Sequence, residues 1–248
     1  MNTIYILWLR QLKRYIRSRS RIIGSLGQPI LFLVALGFGF GPVFAKAGQG
    51  NYIQFLAPGI IGMSVLFTSI FAGIEIIWDR QFGFLKETLV APVSRFSIMV
   101  GRTLGGATVA MIQGTIVFAI SFLAGFRPTG FGSIGLLFLF MFLTSVLFTA
   151  VGTAIASVLE DMQGFQLIMN FLIMPLFFLS GALFPLNNLP DFLKIITAVD
   201  PLSYGVDGMR GALEGTSHFG LSMDFFVLTI MAAAALAIGS YLFSKIQL

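Results

Sequence analysis

The sequence predicts an all-α polytopic membrane protein with six transmembrane helices, built as a single membrane domain over residues 1–248. Three observations predict it. Charged residues make up only 10% of the 248 residues while hydrophobic ones reach 57%, with 28 Phe, and no soluble surface can be made from that composition. Several uninterrupted apolar stretches of roughly 20 residues match the hydrocarbon thickness of a bilayer at about 1.5 Å per helical residue. Once the spans alternate, the basic residues fall almost wholly on one side of the membrane.

The first element is an amphipathic helix over residues 1–21. Ile4, Trp8, Leu12, Tyr15 and Ile16 share one side, and Arg10, Lys13, Arg14 and Arg17 share the other. That pattern suits a helix in the membrane interface with its cations among anionic headgroups, and it equally suits a plain positive-inside anchor. No cleavable signal is expected, because the first apolar run follows a basic segment of roughly 20 residues and is long enough to span. That first span runs from about Ile22 to Phe40 and is expected to stop in the run Gly37, Gly39, Gly41 and Pro42. The second runs from about Ile53 to Trp78, with Glu75 near its inner end facing headgroups or a vestibule.

A charged segment follows over residues 79–95, DRQFGFLKETLVAPVSR. It reads as a short helix from Phe82 to Val90 that can serve as a handle. Phe82, Leu85 and Leu89 fall on one face, with Phe84, Thr88 and Ala91 opposite. Pro92 ends it, because proline lacks the amide donor and disfavours helix in the residue before it.

The third span, about Ile98 to Ala124, carries Gly101 and Gly105 at a spacing that lets two helices approach closely. Arg102 in its first turn is expected to snorkel to the interface. The fourth, about Ile134 to Val158, ends in the small-residue run Ala150 to Ser157, a close-packing face. The fifth, about Gly164 to Phe184, contains Asn170 and a Pro175 expected to kink it. Residues 185–222 are too apolar for a loose loop. Pro190 and Pro201 at first-turn positions and Asp200 as an N-cap predict two short helices. On the second, Leu202, Val206, Met209 and Leu213 repeat at helical spacing, Arg210 is placed to pair with Asp207 and Glu214, and Gly215 closes the helix. The sixth span runs from about Met223 to Phe243.

With the N-terminus inside, Arg10, Lys13, Arg14, Arg17, Arg19, Arg21, Arg80, Lys86, Arg95, Arg102 and Lys245 all lie on the cytoplasmic side. Only Lys46, Arg127, Lys194 and Arg210 lie outside. Both termini are thus expected in the cytoplasm, at a plasma or inner membrane.

Much chemistry is excluded. The chain has no cysteine, so disulfides and thiolate metal sites are out, and its single His218 cannot build a metal cluster. No glycine-rich phosphate loop followed by Lys and Ser or Thr is present, so the chain is not expected to hydrolyse ATP, to bind a cofactor or to be an enzyme. The spans offer no midplane ionisable group, which disfavours an ion-coupled carrier.

Four features stand together: the basic N-terminal helix, the charged handle, six spans, and the apolar segment after the fifth. With KETLVAPVSRFSIMVGRTLGG (Lys86 to Gly106) and LSGALFPLNNLPDFLKIITAVDPLSYGVDGMRGAL (Leu179 to Leu213), the chain resembles the permease subunits of type-2 ATP-binding-cassette exporters over essentially its whole length. One departure is visible. The family often carries an acidic-basic-acidic cluster before the glycine of the handle, whereas here Asp79 and Arg80 are followed by Gln81 and Phe82.

The resemblance implies a mechanism. Two permease copies as a homodimer, or one copy with a similar partner, would associate with separate cytoplasmic ATPase subunits that hold ATP and Mg. Residues 79–95 would contain a coupling helix docked on the ATPase, through Arg80, Phe82, Gly83, Phe84, Leu85, Lys86, Glu87 and Thr88. Phe84 and Leu85 would be the apolar anchors, and Arg80, Lys86 and Glu87 would set register. Met63, Phe67, Phe71, Met169 and Phe177 would line the pathway of a hydrophobic drug, lipid or lipid-linked glycan, and helix packing or lipid contact is the plainer role for each. The helices of residues 185–222 would be external and re-entrant, with Pro185, Pro190, Pro201, Tyr204, Asp207 and Arg210 as a gate or a cap on the bundle. Membrane lipids are the other expected partner, and nucleic acid is not. The competing readings are an ATP-independent secondary transporter or channel, and a membrane assembly factor that transports nothing.

Overall fold

A computed structural model describes residues 3–48, 50–186 and 190–246; residues 187–189 of the predicted external segment lie outside them. Among the described residues the chain is helical, without strands. Six helical stretches are long and apolar enough to cross a membrane. The chain is a multi-pass membrane protein.

Helix α1 (Thr3–Arg17) precedes the spans. The first span is α2 (Arg19–Lys46). It does not stop at the glycines, and both Pro29 and Pro42 lie inside it. In an apolar surrounding the backbone has no partner but itself, so helix continues where water would have let it end. The second span is opened by Asn51, whose side chain accepts the amide of Ile53 at 2.9 Å, and forms α3 (Tyr52–Phe71). At Gly73 the turn tightens, with the Gly73 amide bonded to the Ile70 carbonyl at 3.0 Å, and α4 (Ile74–Gln81) resumes. A Cβ on Gly73 would meet the Gly152 carbonyl, and one on Gly152 would meet that of Ile70. Bare backbone on both sides is what lets the second and fourth spans touch here, as the small-residue run of the fourth span predicts.

The charged segment is not one helix from Phe82. The helix ends at Gln81, Gly83 takes a left-handed φ of 82°, and α5 (Phe84–Val90) follows. Ala91 is extended before Pro92, as the proline requires. The third span, α6 (Arg95–Leu123), is capped by the Ser94 side chain. The fourth, α7 (Ile134–Val158), has the predicted bounds. The fifth, α8 (Met162–Leu179), runs past Pro175 but stops short of Phe184, because Ser180 and a left-handed Gly181 turn the chain.

Helices α9 (Asp191–Val199) and α10 (Pro201–Glu214) are separated by Asp200, which accepts the Leu202 amide at 2.8 Å and caps α10. Gly215, with φ 74°, ends α10 as expected. The sixth span is α11 (Leu221–Ser244). Instead of one buried and one polar face, α10 is buried from Leu202 through Leu213. It is lodged among α3, α7 and α11. Arg210 correspondingly forms no ion pair with Asp207 or Glu214. It donates to the carbonyls of Gly181 (3.0 Å) and Phe55 (3.4 Å) and lies 4.1 Å from the Phe55 ring centre. Asp207 accepts the amides of His218 and Phe219 instead.

The core is centred on α3, α6, α7 and α10, with Leu228, Ala232 and Phe243 of α11 packed into it. Helices α2 and α8 flank it, each burying a narrow stripe: Pro29, Leu33 and Gly37 on α2, and Phe165, Met169, Ile173 and Phe177 on α8.

Candidate functional site

The charged end of the bundle is built on two carboxylates of α4. Glu75 and Asp79 lie one turn apart, so both project toward α1 and the start of α6. Asp79 takes Arg102 of α6 at 2.6 Å on one oxygen and Arg10 of α1 at 2.8 Å on the other. Glu75 takes Arg21 of α2 at 3.0 Å, with Arg14 at 3.7 Å. Arg102, expected to snorkel, is instead buried: Asp79 supplies inside the bundle the partner that the interface would have supplied. Glu75 is likewise buried rather than turned to headgroups.

Helix α1 is fastened along α6. The buried side of α1 is Leu7, Gln11 and Tyr15, and Ile16, expected on that side, is 60% exposed. Gly101 and Gly105 make room for it, since a Cβ at Gly101 would sit 3.1 Å from Ile4 and Leu7, and one at Gly105 would sit 2.9 Å from Gln11. Trp8 donates to Thr108 at 2.9 Å, and Tyr15 donates to Gln113 at 2.5 Å. Burial pushes the Tyr15 phenol up, with Arg21 opposing, so its hydroxyl keeps the proton it donates.

Upon this scaffold α5 and the turn of Phe82 and Gly83 before it present a mixed face. Phe82 (68% exposed) and Phe84 (51%) stand out with Lys86, Glu87 and Val90. Arg10 lies 5.7 Å from the Phe84 ring centre, and Trp78 packs edge-on against Phe82. Thr88 bonds back to the Phe84 carbonyl at 3.0 Å, and Gly83 supplies the turn. Two of the expected contact residues point inward. Leu85 is 1% exposed, so it anchors α5 to its own bundle rather than to another chain. Arg80 donates to the carbonyls of Ser157 (2.9 Å) and Leu159 (3.0 Å), satisfying the end of α7.

Deeper in the span, a cleft of about 260 Å³ opens between α2 and α3. Met63, Phe67 and Phe71 form one wall, and Tyr15, Arg21 and Gln28 give it a polar rim. Ser64 also lines it, its hydroxyl without a hydrogen-bond partner among the described residues. Met169 and Phe177 do not line it. Both are buried in core packing, and Phe177 meets Phe32 edge-on. The polar rim was not legible from the sequence, because Tyr15 is held there by its bond to Gln113, 98 positions away.

At the opposite end, a cavity of about 530 Å³ gathers Pro185, Asp207 and Arg210 with Glu214 and His218. Burial pushes the Glu214 carboxyl up to about 7, with Arg210 pulling it partly back. Pro190 and Pro201 serve as the helix-starting residues of α9 and α10. Tyr204 donates to the Ala198 carbonyl at 2.7 Å, fixing the bend between those helices.

Comparison with known proteins identifies the family. Residues 2–213 match the model of the ABC-2 type transporter family. The chain is 31% identical to a putative transport permease, ycf38, of Cyanophora paradoxa, over 98% of this chain and 88% of that protein. It is 28% identical to the inner membrane transport permease YadH of Escherichia coli K12, over 92% and 89%. It is 26% identical to nodulation protein J of Rhizobium leguminosarum bv. viciae, over 94% and 90%. With a family match over residues 2–213 and relatives that align over most of its length, the chain belongs to the ABC-2 type transporter family, as a transmembrane transporter subunit.

Proposed function

We propose that this chain is the permease of an ATP-driven exporter, coupled through α5 to separate cytoplasmic ATPase subunits that bind ATP and Mg. The observation that carries the reading is α5 itself. Phe84 stands exposed on a helix held from beneath by Leu85, with Phe82 exposed just before it and Arg10, paired with Asp79, against the Phe84 ring. Exposed aromatics on a rigid support, rimmed by Lys86 and Glu87, have the anatomy of an interface hot spot. On this reading the basic end of the bundle is cytoplasmic, with both termini, in agreement with the positive-inside rule. Force on α5 would pass through Asp79 to α1 and α6, and through Arg80 to α7.

The cargo reading rests on the cleft. Its wall of Met63, Phe67 and Phe71 with a rim of Tyr15, Arg21 and Gln28 suits an amphipathic molecule, such as a hydrophobic drug, a lipid or a lipid-linked glycan. Pairing of two copies is supported by α8. Asn170, halfway along this span, is exposed beside Phe171, which is 84% exposed. A carboxamide facing hydrocarbon is costly, so this face is better covered by a second copy or by the pathway itself. The cavity around Arg210 would then be the outer gate, and α9 with α10 its re-entrant frame. Membrane lipids complete the set of partners.

The test is reconstitution of the chain with its ATPase in liposomes. Uptake of a fluorescent amphiphile that requires ATP and is lost on Phe82→Ala with Phe84→Ala supports the proposal. Transport without any ATPase would replace it with the secondary-transporter reading.

A further inference from the structure

The elbow between α1 and α2 carries a second feature. Ser18 breaks the helix there with φ −98° and ψ 75°, and the bend leaves a groove of about 980 Å³ along one side of α1. Its polar wall is Arg10, Lys13, Arg14, Arg17 and Arg19, with the hydroxyls of Ser18 and Ser20, and no carboxylate of the described residues lines it. Arg10 and Arg14 already face Asp79 and Glu75. Lys13, Arg17 and Arg19 are exposed and form no ion pair among the described residues. The floor at the other end is apolar, from Ile6 and Leu9.

A concavity with uncompensated cations at one end and aliphatic side chains at the other selects for a ligand that is anionic at one end and aliphatic at the other. Arginine forks match phosphate oxygens in pairs, and Ile6 and Leu9 offer acyl chains a surface. A nucleic acid or an acidic peptide would leave that apolar floor unused. We propose that the α1–α2 elbow is a binding site for an anionic phospholipid of the adjoining leaflet, its phosphate held by Lys13, Arg17 and Arg19 and its chains lying on Ile6 and Leu9. The site rests on the reading that places this end at a membrane surface, and it does not depend on ATP coupling or on the cargo.

The chain has two tryptophans, and Trp78 lies beneath Arg14, 5.6 Å from its guanidinium carbon. Acyl-brominated lipids quench indole on contact, so the Trp8→Phe protein in phosphatidylcholine vesicles reports occupation through Trp78. Brominated phosphatidylglycerol should quench well beyond brominated phosphatidylcholine at equal mole fraction. Arg17→Gln with Arg19→Gln should lower that preference about tenfold. Arg95→Gln with Lys245→Gln, the same loss of charge away from the groove, should leave it intact. Equal quenching by the two lipids would overturn the proposal, and equal loss in both double variants would reduce it to general surface charge. Abolition of the preference by millimolar inorganic phosphate would assign the groove to a soluble anion and overturn the lipid site. Thermal unfolding of each variant, matched to wild type, excludes misfolding, and none of these readouts involves ATP hydrolysis.

Discussion

The Arg102 guanidinium lies 2.6 Å from a carboxylate oxygen of Asp79, with both side chains 4% exposed. The other oxygen of Asp79 holds Arg10 at 2.8 Å, with Arg10 39% exposed. One carboxylate therefore joins α1, α4 and α6 in a single unit beneath α5. Removing one member of a buried pair strands the other charge, at a cost of about 3–5 kcal/mol. Asp79→Asn is expected to lower the thermal midpoint in detergent sharply. Arg10→Gln removes only a half-exposed partner and should cost under about 1 kcal/mol. Equal effects of the two would contradict the assignment of Arg102 as the main partner.

Backbone contact between Gly73 and Gly152 fixes the tightened turn of the second span. Either residue changed to Ala puts a methyl group against carbonyl oxygen, so the loss should reach or exceed about 1–3 kcal/mol. Gly135→Ala, with open space around it, serves as the control and should be neutral or slightly stabilising. Size-exclusion profiles and unfolding midpoints of the three variants decide it.

Neighbouring residues of α5 should separate function from stability. Leu85→Ala empties a buried site and is expected to cost about 2–5 kcal/mol. Phe84→Ala, at an exposed site, should leave the unfolding midpoint near wild type while reducing ATP-dependent transport by at least about tenfold, the loss expected of a hot-spot aromatic. A Phe84→Ala protein that transports normally would remove α5 from the coupling path.

Acid should stabilise the end of the bundle that holds α10. The Glu214 carboxyl rises from 4.5 to about 7 on burial, so the folded state holds an extra proton between those values. Its contribution is greatest at the acid end of that window and is lost as pH rises through about 7. Asp200, pushed up to about 7 from 3.8 by burial against its cap bonds, acts in the same direction. Unfolding midpoints should therefore fall from pH 5 to pH 7.5, and Glu214→Gln should flatten the slope. Parallel profiles for the variant and wild type would refute the assignment.

Hydropathy is summed over many residues, so all six spans were legible and α7 has its predicted bounds. Caps and stops that act within a few residues were legible too, at Asp200, Pro201, Gly215 and Pro92. What stayed hidden depends on partners distant in sequence. Gly101 and Gly105 announced a close approach, but nothing local named α1 as the helix that fills it. Arg102 in a first turn points to the interface until Asp79 is known to lie opposite. The periodicity of the handle placed Leu85 on a face without saying which face the bundle covers. Of the named residues, Met63, Phe67 and Phe71 share the cleft, and Pro185, Asp207 and Arg210 share the cavity at the opposite end.

The most direct measurement uses the absence of cysteine from the chain. A single Phe84→Cys substitution, labelled with a soluble maleimide in the free permease and in its ATPase complex, reads whether α5 is the docking surface. The account predicts rapid labelling of the free chain, strong protection in the complex, and slow labelling of Leu85→Cys in both. Equally fast labelling of Phe84→Cys in a complex that still hydrolyses ATP would contradict it.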